Sequence, residues 1–158
     1  SPEKIADGLL NYVPSGMRQR IKEVGGITVI EDCYNASPDS QKAGLNSLSK
    51  IAKGRKIAVL GDMLELGSYS ETAHRNVGEY AAESNVDMLF TYGKESRFMA
   101  DSAKKAGLNN VFAFTDKDEL TKSLLNEMKS GDTVLVKASR GMKLEEIIEK
   151  IYEQWDVK

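Results

Sequence analysis

The sequence holds one cysteine, Cys33, and one histidine, His74, among 158 residues. A single cysteine excludes an internal disulfide and agrees with a reducing compartment, and a single histidine excludes a multi-histidine metal site within this chain. No apolar run approaches the roughly 20 residues of a membrane-spanning helix, and no signal-peptide pattern opens the sequence. Charge of neither sign dominates: the formal net charge is -2, which points to neither nucleic acid nor an anionic membrane as partner. Neither G-x-G-x-x-G nor G-x-x-x-x-G-K-[ST] occurs, so the chain has no dinucleotide fingerprint and no phosphate-cradling P-loop. "YGKES" at 92–96 lacks the upstream glycine. Repeats, low-complexity tracts and charge blocks are also missing. With 41% hydrophobic and 29% charged residues, the composition is that of a cytosolic globular domain able to bury one substantial core.

What the sequence does have is alternation. Six apolar runs read as strands: "RIKEV", "ITVIED", "KIAVLGD", "VDMLFTYG", "NVFAFTD" and "DTVLVKAS". Gly25-Gly26 separates the first two, and a dipeptide that tolerates positive φ suits a tight hairpin. Between the later runs lie amphipathic stretches at 38–53, 70–84, 95–106, 117–129 and 142–155. Ala43, Leu45, Leu48, Ile51 and Ala52 recur at helical spacing in the first, and Leu144, Ile147, Ile148 and Ile151 in the last. Strands alternating with helices of this length imply βα crossovers. The expected fold is therefore α/β: a Rossmann-like three-layer domain with a mostly parallel sheet of about six strands. One antiparallel strand would come from the N-terminal hairpin. "SPEKIADGLLNY" looks helical but stands outside this rhythm, and Pro14, Ser15 and Gly16 break it as a linker would. The expected division is 1–15 as the end of a preceding domain with its linker, and 16–158 as the α/β domain.

In open α/β sheets ligands bind beyond the carboxyl ends of the parallel strands. That rule selects the turns 31–40, 61–69, 92–96, 115–117 and 137–142. In the first, Asp32 closes a strand, Ser37 is a candidate N-cap, and Pro38 or Asp39 starts a helix. Asp32 and Asn35 could clamp a nucleotide near the helix N-terminus, the acid accepting from ribose hydroxyls and the asparagine contacting base or phosphate, or an acid and a serine could merely cap and tighten the turn. Hairpin pairing about Gly25-Gly26 makes partner numbers sum to about 51, which sets Arg18 opposite about position 33. Its guanidinium could pair with Asp32 or reach a transferring phosphate. In the second turn Asp62 and Glu65 lie between Gly61 and Gly67, as ligand contacts or as a solvated loop, and His74 reads as a surface or packing residue. In the last turn Lys137, Ser139 and Arg140 precede a helix, as a carboxylate or phosphate receptor or as solvated cations.

Three stretches taken together resemble the carboxy-terminal domain of the Mur ligase family. They are "VIEDCYNASPDSQKAGL" at 29–45, "IAVLGDMLELG" followed by His74 and Val77-Gly78, and "DTVLVKASRGMKLEEII" at 132–148. "GMR" at 16–18 resembles the arginine that follows the linker from the family's central domain. The resemblance covers essentially the whole chain, in order. It is nearest to members that join D-alanyl-D-alanine to UDP-N-acetylmuramoyl-tripeptide in peptidoglycan synthesis.

The resemblance implies a three-domain parent in which this domain closes over ATP. The N-terminal domain would receive the UDP-sugar peptide, and the central domain would carry the P-loop and most Mg2+ ligands. ATP would phosphorylate the peptide carboxyl group, and the amine of D-alanyl-D-alanine would attack the acyl phosphate, releasing phosphate. By the same resemblance Arg18 is catalytic at the γ-phosphate, Asp32 contacts the ribose, and Tyr34, Asn35 and Ser37 lie on the adenine side. Lys137, Ser139 and Arg140, with Asp62 and Glu65, lie near the incoming dipeptide. Ser37 stands where many members have asparagine, and Ala138 where glycine is usual. The rival readings are another ligase of the same superfamily, such as a folylpolyglutamate synthetase, and a stand-alone non-catalytic Rossmann-like module.

Overall fold

A computed structural model describes residues 19–156. The chain opens with a hairpin of β1 (Arg20–Val24) and β2 (Ile27–Asp32), followed by α1 (Pro38–Ile51) and β3 (Lys56–Gly61). Then come α2 (Ser70–Glu83), β4 (Met88–Tyr92), α3 (Ser96–Lys105), β5 (Val111–Phe114), α4 (Lys117–Glu127), β6 (Thr133–Lys137) and α5 (Glu145–Trp155). Short 3-10 turns at Gly67–Tyr69 and Arg140–Met142 precede α2 and α5. The six expected strands and five expected helices are all present. The expected boundary at 15/16 lies outside the described residues.

Gly25 (φ +57°) and Gly26 (φ +87°) form the hairpin turn in the left-handed region, where side chains are disfavoured. A Cβ on Gly25 would also fall 2.0 Å from the Trp155 carbonyl oxygen, so the turn packs directly on the end of α5. The register, Arg20 opposite Glu31 through Val24 opposite Ile27, is the one that the hairpin arithmetic gives for these residues. Arg18 itself lies outside the described residues.

The sheet order is β1-β2-β6-β3-β4-β5, with every pair except β1·β2 parallel. Strand alternation divides the core in two. Ile30, Ala58, Leu60, Leu89 and Leu135 face α1, α2 and α3, where Leu45, Leu48, Val77 and Met99 cover them. Val29, Val59, Phe90, Val134 and Val136 face the other way and pack against Leu120 and Leu124 of α4 and Ile147 and Ile151 of α5. Each fully buried aliphatic or aromatic side chain contributes about 1.5–3 kcal/mol, so packing on both faces fixes the strand ends that form the site.

Candidate functional site

The helices that follow β2 and β3 lie on one face of the sheet, while the helix that follows β6, between them, lies on the other. The chain therefore leaves β6 and its neighbours in opposite directions and opens a crevice at their carboxyl ends, the place where α/β sheets bind ligands. Asp32 ends β2 and Lys137 ends β6, and the two are register partners. Both point to the α1 face, two residues on from Ile30 and Leu135. Lys137 Nζ lies 2.9 Å from Asp32 Oδ2 and donates to the Asn35 carbonyl at 3.0 Å. Asp32 is 6% exposed and Lys137 2%. A cleft of about 320 Å³ opens beside the pair, lined also by Gln19, Asn35, Ser40 and Ser47.

Residues 33–37 carry the chain from β2 into α1. Asn35 Oδ1 accepts from the Ala36 amide at 2.9 Å, which fixes the turn. Ser37 is the N-cap of α1, its hydroxyl accepting from the Ser40 amide, while the Ser40 hydroxyl accepts from the Ser37 amide. This capping box leaves α1 with Pro38 in its first turn, pre-set for helical φ. Tyr34 is exposed, and the Arg140 guanidinium sits 5.3 Å from its ring centroid. Cys33 donates its thiol hydrogen to the Val136 carbonyl. Burial, reinforced by the charge of Glu145, pushes its pKa up to about 12.

The next two turns interlock. Asp62, 6% exposed, accepts from the Ser96 amide and hydroxyl, each at 2.7 Å, and from the Glu95 amide at 3.3 Å. Its carboxylate thus serves the N-terminus of α3. Its carbonyl accepts from the Ser139 amide, and the Ser139 hydroxyl accepts from the Leu64 amide at 3.0 Å. Glu65 is exposed, with its backbone in the left-handed region at φ 62°. His74 is fully buried: Nε2 accepts from the Met63 amide at 3.0 Å, and Nδ1 donates to the Ser70 carbonyl at 2.7 Å. It is a packing residue that pins the 62–66 loop onto α2. Ala138 is buried against Gly61, where a Cβ would fall 2.6 Å from the Ala138 methyl, so the alanine occupies space that the facing glycine leaves.

The structure thus gathers Asp32, Asn35 and Lys137 into one cluster and stacks Arg140 on Tyr34, within the turns that the sequence singles out. Asp62 and Ser139 sit in the same region with their polar atoms engaged by the protein. Glu65 is not drawn to the cluster by any hydrogen bond or ion pair among the described residues. Reading the sequence did not single out Gln41, Gly44 or Ser47. They form a polar-and-small stripe of α1 beside Leu45 and Leu48, and their spacing of three was the available signal. Gln41 Nε2 donates to the Gly61 carbonyl at 3.3 Å. A larger cavity of about 450 Å³ lies between α2 and α3, lined by Arg75, Glu79, Glu83 and Lys105. It holds none of the expected site residues and lies away from the crevice. Among the described residues no group of three His, Cys, Asp or Glu is placed to hold a metal ion, and no helix is long and apolar enough to cross a membrane.

Comparison with known proteins bears on this geometry. The family model described as "Mur ligase, glutamate ligase domain" matches residues 17–140. The UDP-N-acetylmuramoyl-tripeptide--D-alanyl-D-alanine ligase of Bacillus subtilis is 42% identical over 156 residues, 97% of this chain and 34% of that protein. Among solved structures, MurF from Acinetobacter baumannii aligns with a TM-score of 0.80 at 26% identity, over 97% of this chain and 34% of that one. The MurF ligase from Thermotoga maritima in complex with ADP aligns with a TM-score of 0.73 at 28% identity, over 85% of this chain and 30% of that one. The chain spans about a third of the length of the curated relatives it matches.

Proposed function

This chain belongs to the Mur ligase family, and we propose that it is the carboxy-terminal, nucleotide-closing domain of an ATP-dependent ligase. The parent enzyme would join D-alanyl-D-alanine to UDP-N-acetylmuramoyl-tripeptide in the cytoplasm. The observation that carries the reading is the placement of Asp32 beside the cleft at the topological switch point. A carboxylate there can accept from vicinal ribose hydroxyls while the triphosphate runs toward the parent's central and N-terminal domains. Tyr34, Asn35 and Ser37 line the base side of the same turn, and Arg18 reaches the γ-phosphate. Arg140, carried over Tyr34, meets the carboxylate of the incoming dipeptide, with Ser139, Asp62 and Glu65 shaping the loops around it. Similarity to the ADP-bound relative supports the nucleotide. No group of three His, Cys, Asp or Glu among the described residues is placed to hold a metal ion, and most Mg2+ ligands would come from the parent's central domain.

In this reading the domain performs no bond-making step by itself. It fixes the ribose through a charged acceptor and brings an arginine to the phosphoryl group on closure, so that charge developing in the transition state is stabilised. The test is phosphate release by the full-length protein. Turnover requires ATP, UDP-N-acetylmuramoyl-tripeptide and D-alanyl-D-alanine together, and turnover indifferent to the dipeptide would overturn the assignment. Asp32→Asn weakens ATP binding by about 1.5–3 kcal/mol, the worth of hydrogen bonds to a charged acceptor. Arg18→Lys keeps the charge but loses the planar fork. It lowers kcat at least about tenfold with little change in the KM for ATP.

A further inference from the structure

We propose that Lys137 is a positioning residue of the nucleotide arm of the site, holding the Asp32 carboxylate and the Asn35 turn in place, rather than a receptor for the incoming amine component. The inference rests on the nucleotide reading given above. Its own ground is the path of the lysine side chain. Lys137 ends β6 as the register partner of Asp32, on the same face of the sheet. Its stem runs beneath α1, where a Cβ on Gly44 would stand 3.1 Å from Lys137 Cδ, so a glycine at that helix position makes room for it. The ammonium emerges under the 33–37 turn and spends one hydrogen on Asp32 Oδ2 at 2.9 Å and another on the Asn35 carbonyl at 3.0 Å.

Position and accessibility both separate it from the dipeptide side of the crevice. Lys137 is 2% exposed, whereas Arg140, three residues on, is exposed and lies over Tyr34. A long flexible cation facing solvent can follow a ligand; this one is locked between a strand, a helix and a turn. Removing two charges from water is expensive, and well-packed apolar residues in their place are often as stable or more so. The pair borders a cleft that opens at the strand ends, where a fixed carboxylate direction serves a ligand. By joining Asp32 to the Asn35 carbonyl, the ammonium sets the strand end and the turn in a single arrangement, so that a ribose finds its acceptor already oriented.

The experiment uses the full-length protein with four sequences: wild type, Asp32→Asn, Lys137→Met and the double variant. The readouts are apparent affinities for ATP and for 2′,3′-dideoxy-ATP, the KM for D-alanyl-D-alanine, and the thermal midpoint. Wild type is expected to prefer ATP over the dideoxy analogue by about tenfold or more, and Asp32→Asn to remove that preference. Lys137→Met is expected to remove most of it as well, while the KM for D-alanyl-D-alanine stays within about twofold. A loss of stability alone would not change the ratio between two nucleotides. A Lys137→Met enzyme that keeps the ribose preference, or whose main defect is a raised dipeptide KM, overturns the inference. If Asp32→Asn keeps the preference, the ribose assignment of Asp32 falls instead. Should Lys137→Met fail to fold, the double variant, which removes the charge of both partners, is compared with Asp32→Asn. Equal nucleotide affinities and dipeptide KM support positioning, and a raised dipeptide KM in the double variant overturns it.

Discussion

Cys33 sits one residue beyond the carboxylate at the heart of the crevice, yet its chemistry is suppressed. The thiol donates to the Val136 carbonyl, and burial, followed by the charge of Glu145, pushes it up to about 12 from 9.0. Only the thiolate is nucleophilic. The native protein should therefore react with a disulfide reagent at pH 8 at least about a hundredfold more slowly than the denatured chain. Equal rates in buffer and in denaturant would show that the thiol is open to solvent. The same shift has a consequence for stability. A group with a raised folded pKa lends stability in full below its unfolded value and loses it as pH rises through the interval to the folded one, here from 9.0 to about 12. The Tyr152 hydroxyl, raised by burial and by its hydrogen bond to Glu31, acts in the same direction. Thermal midpoints should fall above pH 9, and Cys33→Ala should lessen that fall; an unchanged alkaline slope in the variant would leave Tyr152 as its source.

Among elements, the strands and helices were legible because each carries its own period. "ITVIED" alternates and ends in acid, and α1 begins where Ser37-Pro38 says it should. The hairpin register was legible too, since two glycines at a two-residue turn leave few alternatives. Sheet order was not, because no local signal says that β6 inserts between β2 and β3, and the Asp32–Lys137 pair exists only through that insertion. The role of Asp62 was hidden for a related reason. Helix α3 has Glu95 at its N-cap position, and that side chain makes no capping bond. The acceptor comes instead from the end of a neighbouring parallel strand, 34 positions away from Ser96. Gly93, at φ +124°, clears the way, since a Cβ there would fall 2.3 Å from the Asp62 carboxylate. Asp62→Ala should therefore cost about 1–3 kcal/mol in urea unfolding, within the range of lost caps and stranded buried donors. In the proposed parent ligase the affinity for ATP should stay within about twofold. A stable variant with a raised KM for the dipeptide would instead make Asp62 a ligand contact.

At the scale of the whole molecule, the two ends of the sheet are held by different means. The carboxyl end carries the Asp32–Lys137 pair beside a cleft. The amino end is closed by Arg55, whose Nε and Nη2 reach the two carboxylate oxygens of Asp132 at 2.9 and 2.8 Å. The same guanidinium donates to the Glu127 carbonyl at 2.7 Å, and Asp132 accepts from the Lys129 amide. One fork thus joins the start of β3 to the turn between α4 and β6, a link over 77 positions. The partners differ in exposure: the Asp132 side chain is 3% exposed and that of Arg55 34%. The two deletions should therefore be unequal. Arg55→Ala strands a buried carboxylate and should cost roughly 3 kcal/mol, near the lower end for a broken buried pair. Asp132→Asn keeps a hydrogen-bond acceptor and leaves the guanidinium access to water, so about 1–2 kcal/mol is expected. Urea denaturation of both singles and the double variant gives the coupling energy, expected at about 1–2 kcal/mol because the residues share one network. ATP affinity in the proposed parent ligase should be unmoved by either change, since the pair and the crevice lie at opposite ends of the strands. If Arg55→Ala costs less than about 0.5 kcal/mol, the fork behaves as a solvated surface bridge, and packing alone holds the amino end of the sheet.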